Sequence, residues 1–194
     1  MHTTIWRAPL AAALLSLITA ASAQAGPAAD KMAQGEQLLA QGKPATAMKT
    51  AREAFDILWD KMPFTVVYAT FTDKKAAGYG IFNPRKSNAY KAGDTIQLYI
   101  EPKGFGIREV KKGIFSSHIS TDLVVRNKNG GTVLKKSDFG KFRLTSRRRF
   151  HEFYITLSIT LTGAPAGQYS LVVPVHDLIK GQASSFSLPF SVVK

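Results

Sequence analysis

The chain has 194 residues, of which 45% are apolar and 20% charged, as expected of one globular domain with a small appendage. It contains no cysteine, which excludes disulfides, thiolate chemistry and anchoring through a lipidated N-terminal cysteine. Its net charge of +13 favours anionic partners through long-range attraction, though it specifies no fold.

The first element is a positively charged start with Arg7, followed by the apolar run Leu10–Ala20 and then "ASAQA". This is the plan of a secretory signal peptide, with Ala21 and Ala23 as the small residues before the cut. Eleven residues are too few to span about 30 Å of hydrocarbon as a helix. Residues 1–23 are therefore expected to be removed after Ala23, with Ala25 as the second choice. Export without cysteine points to a bacterial periplasm or the medium, and to a fold stabilised by its core alone.

Residues 24–63 carry five Lys/Arg and five Asp/Glu, so this segment is neutral. Residues 64–194 hold 20 cations against 8 acids. The basic character of the exported chain belongs wholly to its second region. The polyanions of an envelope are lipopolysaccharide, anionic glycans, acidic proteins and incoming DNA.

Within the neutral segment, Ala29–Ala40 and Pro44–Lys61 read as two helices. Gln41-Gly42 suits a stop, and Pro44 suits a first helical turn. Ala47, Ala51, Ala54, Phe55, Leu58 and Trp59 recur at three- and four-residue intervals. With Gly35, Gly42, Ala47 and Ala54 at positions of close helix approach and Leu38 at a large-residue position, the pair resembles a single tetratricopeptide-like hairpin. One such unit cannot bury its apolar face by itself. The candidate docking face of Phe55, Leu58 and Trp59 is expected to rest on the following domain, a second chain or a partner.

From Phe64 the period changes to two. Phe64–Phe71, Thr95–Glu101, Ile119–Val125, Phe153–Leu161, Tyr169–Val175 and Phe186–Val192 alternate apolar and polar residues, and a pairing of Phe139–Thr145 with Phe153–Leu161 would gather the charges near it at one end of the sheet. Turn signals at Ala92–Asp94, Asn127–Gly131, Gly163–Gly167 and Lys180-Gly181 separate them. Seven or eight strands over residues 64–194 predict an antiparallel β-sandwich, with a closed barrel as the alternative. Pro174 and Pro189 cannot donate to a ladder and belong at an edge or a bulge. The closing stretch "AGQYSLVVPVHD" through "SFSLPFSVV" resembles the last hairpin of an immunoglobulin- or fibronectin-type domain, in which a tyrosine (here Tyr169) locks the corner.

For chemistry, the histidines His118, His151 and His176 show no metal spacing, and the serines show no nucleophile elbow. The glycines of "GFG", Gly104–Gly106, open no helix that would cradle a phosphate. No cofactor, catalytic residue or metal ligand is assigned. Two surface candidates remain. The loop containing Phe105, Arg108, Lys111 and Lys112 combines a ring with cations, which suits a glycan or nucleic acid. Lys141, Arg143, Arg147, Arg148 and Arg149 form a cation cluster at the mouth of a strand, suited to an anion or to discouraging edge pairing. The expected function is a non-enzymatic envelope binding or assembly protein whose partner is an envelope polyanion or acidic protein. The alternatives are an enzyme acting on an envelope polymer and a structural subunit of a secreted assembly.

Overall fold

The computed structural model describes residues 26–194, so the expected signal peptide and its cleavage site lie outside the described residues. The hairpin consists of α1 (Pro27–Ala40) and α2 (Pro44–Lys61), each opening on proline. Gly42, at φ +71°, makes the left-handed turn between them. At Gly35 a Cβ would stand 3.4 Å from the Ala47 carbonyl oxygen, within ordinary contact distance, so the helices pass close there without strictly requiring glycine.

Nine strands follow: β1 (Thr65–Thr72), β2 (Ala89–Lys91), β3 (Thr95–Lys103), β4 (Arg108–Lys111), β5 (Ile114–Asn127), β6 (Thr132–Ser146), β7 (Ile155–Thr160), β8 (Gly167–Asp177) and β9 (Gln182–Val193). The count exceeds the expected seven or eight because β2 and β4, of three and four residues, are too short to show a period. The protein is mainly strand, with the helical hairpin preceding two sheets.

One sheet has the order β1-β3-β7; the other runs β2-β9-β8-β5 and adds β4 and β6 on β5. Phe115 and Ser116 of β5 pair with both β4 and β6, so β4 shares the β8 side of β5 and β6 is an edge strand. The larger sheet is mixed rather than wholly antiparallel, since β2 runs parallel to β9. No hairpin ties β2 to a neighbour; it enters the sheet after the long segment of residues 73–88, so its direction is unconstrained by a turn.

The expected pairing of Phe139–Thr145 with Phe153–Leu161 does not occur, because β6 pairs with β5 from Phe115–Ser146 to Arg126–Thr132. The cause is local. Asn127 Oδ1 accepts the backbone N–H groups of Asn129 and Gly131 at 3.0 Å each, and Gly130 takes φ +82°. This tight turn sets β6 directly beside β5.

The two sheets share one core, formed by Ile96, Leu98 and Ile100 of β3, Ile155, Leu157 and Ile159 of β7, and Ile119, Leu123, Leu171, Val173, Val175 and Phe190 of the larger sheet. In β7 the expected alternation holds: Leu157 is 3% exposed, while Ser158 and Thr160 are open to solvent. In β3 it fails at Tyr99, which is outward in register yet 0% exposed. The segment of residues 73–88 folds over it: Phe82 stacks on its ring at 4.1 Å, and Gly80 N donates to its Oη at 2.8 Å.

On one side the sheets are tied by side chains. Phe64 N donates to Gln182 Oε1 at 2.8 Å and Val66 N to Ser184 Oγ at 3.1 Å. On the other side, β6 and β7 are both edge strands, and a groove of about 470 Å³ lined by Val133, Leu134, Leu161, Tyr169 and Phe190 lies between them. No ladder joins the two sheets among the described residues, so the barrel is not closed. Pro174 sits in an interior strand rather than at an edge. Its missing N–H falls where the β5–β8 ladder is interrupted, between Thr121–Val175 and Val124–Val172. Pro189 adjoins the end of β2, where pairing on that side of β9 stops.

Candidate functional site

The three consecutive arginines part company where β6 ends. Arg149 turns to the hairpin, with Nε 3.0 Å from Asp56 Oδ1 and Nη2 2.6 Å from Asp60 Oδ1 on α2. Arg147 and Arg148 are exposed and make no ion pair among the described residues. Within the cluster the neutral hairpin supplies acids to Arg149 alone, and Lys141 pairs with Asp138 of its own strand.

That contact belongs to a larger junction. Trp59 is 2% exposed; its Nε1 donates to the Phe105 carbonyl at 2.9 Å, and its ring meets that of Phe105 edge-on at 4.9 Å. Phe105 is itself 0% exposed and packs on Phe150 and Phe153. The expected exposed ring of the basic loop is therefore corrected: Phe105 is core, and only Arg108, Lys111 and Lys112 face solvent. Likewise the docking face divides. Trp59 rests on the following domain, while Phe55 and Leu58 remain 42% and 49% exposed.

Residues whose part in this contact was not legible in the sequence complete the junction. Lys180 Nζ donates to the carbonyl oxygens of Met62 at 2.9 Å and Asp60 at 3.2 Å, capping the negative end of α2. Asp177, 1% exposed, accepts from Gly106 N at 2.6 Å and Ile179 N at 2.8 Å. Gly104, at φ +65°, brings the chain so near Pro63 that a Cβ would stand 2.3 Å from its carbonyl oxygen. The glycines of "GFG" thus serve close packing. Their one legible signal is a bulky ring held between two glycines.

The histidines are not gathered together. His151 Nε2 lies 2.8 Å from Asp56 Oδ1, off the line of a hydrogen bond, and its ring touches Phe55 and Trp59. Burial, outweighing the Asp56 charge, holds the His151 pKa below the ordinary value of 6.5. His176 Nε2 is 3.0 Å from Asp122 Oδ2. Asp122 is held below the usual carboxylate range, chiefly by the Asp138 N–H that donates to Oδ1 at 2.9 Å, then by His176. That N–H comes from a bulge in β6, where Asp138 takes φ +52° and the register shifts beyond Thr121. Among the described residues no group of three His, Asp or Glu side chains is placed to hold a metal.

The strand registers bring the two basic candidates onto one surface. Ser116 pairs with Arg108 of β4 and Thr145 of β6, His118 with Arg143, Ser120 with Lys141 and His176, and Val124 with Lys135. Alternate residues of β5 share a face. Lys111, Arg108, Arg143, Lys141, Lys135 and Arg126 therefore lie along the outer face of the larger sheet, all exposed. The contact of Thr145 Oγ1 with Ser116 Oγ at 3.4 Å shows this shared side directly. Ser116 and Ser120 are only 6% and 3% exposed on this outward face, roofed by the neighbouring side chains. The acids beside them are occupied. Asp122 holds His176 and the Asp138 N–H, and Asp138 pairs with Lys141 at 3.2 Å.

No family model and no curated protein matches this chain. Among solved structures, it is similar to Spo0M, a sporulation control protein from Bacillus subtilis, at 16% identity and TM-score 0.37, over 69% of this chain and 50% of that one. It is also similar to the alkylpurine DNA glycosylase AlkC of Pseudomonas fluorescens, at 13% identity and TM-score 0.40, over 84% and 42% of the two chains. A family 123 glycoside hydrolase from Clostridium perfringens gives 9% identity and TM-score 0.39, over 66% and 27%. The chain spans half or less of each of these proteins.

Proposed function

We propose that this is an exported, non-enzymatic binding protein of the bacterial envelope, in which the larger sheet presents a basic outer face to an anionic polymer or acidic protein. The observation that carries this reading is the alignment of Arg108, Lys111, Lys135, Lys141 and Arg143 on one face, where they outnumber the two carboxylates that share it, Asp122 and the Asp138 that pairs with Lys141. Cations scattered among equal numbers of acids leave little net field; cations aligned in excess over the acids between them leave a positive field directed outward. The apolar run Leu10–Ala20 supports export into the periplasm or medium. The tyrosine Oη of Tyr169, donating to Pro165 O four residues upstream at 2.8 Å, supports an immunoglobulin-like reading of the sandwich.

The test is retention on phosphocellulose by two variants of equal net charge. Arg108→Ser/Lys141→Ser/Arg143→Ser removes three cations from the face. Lys74→Ser/Lys75→Ser/Lys86→Ser removes three from the segment covering the smaller sheet. The first is expected to elute at clearly lower salt than the second. Equal elution would mean that net charge alone governs binding and that the face has no role.

A further inference from the structure

The cations of the outer face are arranged in a line, and a line selects a particular shape of ligand. Resting on the reading just proposed, we infer that this face binds an extended polyanion laid along β5 and β6, and that it does so through backbone charge without base or ring stacking.

The registers give the geometry. From Lys111, opposite Ile114, to Arg126 the row follows the length of β5, about 40 Å at 3.4 Å per residue. Arg143 and Lys141 are two residues apart on β6, which separates their stems by about 7 Å. Between the cations stand hydroxyls, Thr145 beside Arg143 and Ser120 beside Lys141. A compact anion needs cations converging on one point, as in a claw of bidentate arginines. Here they diverge along a ridge, so a small phosphate meets two at most. A polymer with a charge on every unit meets them all in succession, and its affinity accumulates with each contact.

Phenylalanine, tyrosine and tryptophan are absent from the outward positions of this ladder, whose rings are the imidazoles of His118 and, on β8, of His176, which Asp122 holds. Among the described residues, the outward positions of β5 are Ile114, Ser116, His118, Ser120, Asp122, Val124 and Arg126, and those opposite on β6 are Thr145, Arg143, Lys141 and Lys135. Phe139 and Phe142 pack instead against the core, and Phe115 lies on the face of β5 opposite to Ser116. Single-stranded nucleic acid is held by charge together with aromatic platforms for its bases. This face offers the charge alone, which fits a linear polyphosphate, polysulfate or polycarboxylate chain.

Inorganic polyphosphate is the probe, titrated against the full chain without its first 23 residues at fixed ionic strength. Tripolyphosphate, long-chain polyphosphate and a poly-thymidine oligonucleotide are compared at equal total phosphate. The expected result is that affinity per phosphate rises by about tenfold or more from tripolyphosphate to the long chain, and that Arg108→Ser/Lys141→Ser/Arg143→Ser abolishes most of this gain. The oligonucleotide is expected to bind no better than polyphosphate of matched charge. If tripolyphosphate binds as tightly per phosphate as the long chain, and both are lost in the variant, the face is a compact-anion site and the linear reading is overturned. Stronger binding of the oligonucleotide would overturn the exclusion of base stacking. If the variant and Lys74→Ser/Lys75→Ser/Lys86→Ser lose affinity alike, the face itself falls, and the proposed function with it.

Discussion

Arg149 and Arg143 are six positions apart on the same stretch of chain, yet they belong to different kinds of surface. Arg149 enters a junction that supplies polar partners: two carboxylates for the guanidinium, a carbonyl for the Trp59 indole, and a cation for the end of α2. Arg143 stands on an outer face, opposite His118 and beside Thr145, with no carboxylate paired to it among the described residues. The same side chain is structural in one place and offered to solvent in the other. The decisive difference is the supply of carboxylates, which comes from a helix 89 to 93 residues away in sequence. A charged residue's role is set by what the fold brings to it.

The junction should break first, and most severely, at its buried elements. Trp59→Ala is expected to cost about 3–5 kcal/mol, because it removes a buried indole and leaves the Phe105 carbonyl without its donor. Chemical denaturation read by far-UV circular dichroism measures this. Gly104→Ala is expected to be nearly as damaging, since a Cβ would meet backbone that has no alternative path. Leu157→Asp should unfold the sandwich by burying an uncompensated charge, at several kcal/mol, whereas Thr156→Asp on the outward side should be tolerated.

A smaller effect measures how the arginine holds the hairpin. The side chain of Arg149 is 26% exposed, so its pair with Asp56 is only partly shielded from water. A double-mutant cycle of Arg149→Ser and Asp56→Asn is expected to give a coupling of about 1 kcal/mol. The same cycle with Arg143 in place of Arg149 should give none. His151 adds a pH dependence to this side. Its folded-state pKa lies below 6.5, so the unfolded chain takes up the proton first as pH falls. Stability from this group is complete above about 6.5 and declines as pH drops from there towards the lowered folded value. Thermal melts between pH 7.5 and 5.5 should show this decline, and His151→Gln should flatten it.

Much of the architecture was legible in the sequence and much of the surface was not. Period-two stretches marked the core strands because one face is buried along their whole length, as in β7. Helix stops and starts at Gly42 and Pro44 are local rules, and they held. Register is not local. The neighbour of β6 was decided by the Asn127–Gly131 turn rather than by the strength of alternation in either strand. Nor could the fate of Phe105 be read from its loop. Its burial depends on Trp59, 46 residues earlier, and on Asp177, 71 residues after Gly106. Lys180 read only as part of the Lys180-Gly181 turn, since capping a distant helix leaves no pattern around the lysine. The two basic candidates, 30 to 40 residues apart in the chain, became one face only through the pairing of β4 and β6 with β5.

The division of labour between junction and face is tested most directly by thermal melting of Arg149→Ser and Arg143→Ser, each with and without saturating long-chain polyphosphate. Both substitutions remove one positive charge, so bulk electrostatics treats them alike. Arg149→Ser is expected to lower the basal Tm and to keep the full ligand-induced rise, because its contacts hold α2. Arg143→Ser is expected to leave the basal Tm within the range of ordinary surface changes, about 0.5 kcal/mol, and to lose part of the rise. An equal loss of the ligand-induced rise in both variants, or a basal Tm lowered more by Arg143→Ser than by Arg149→Ser, would contradict the account.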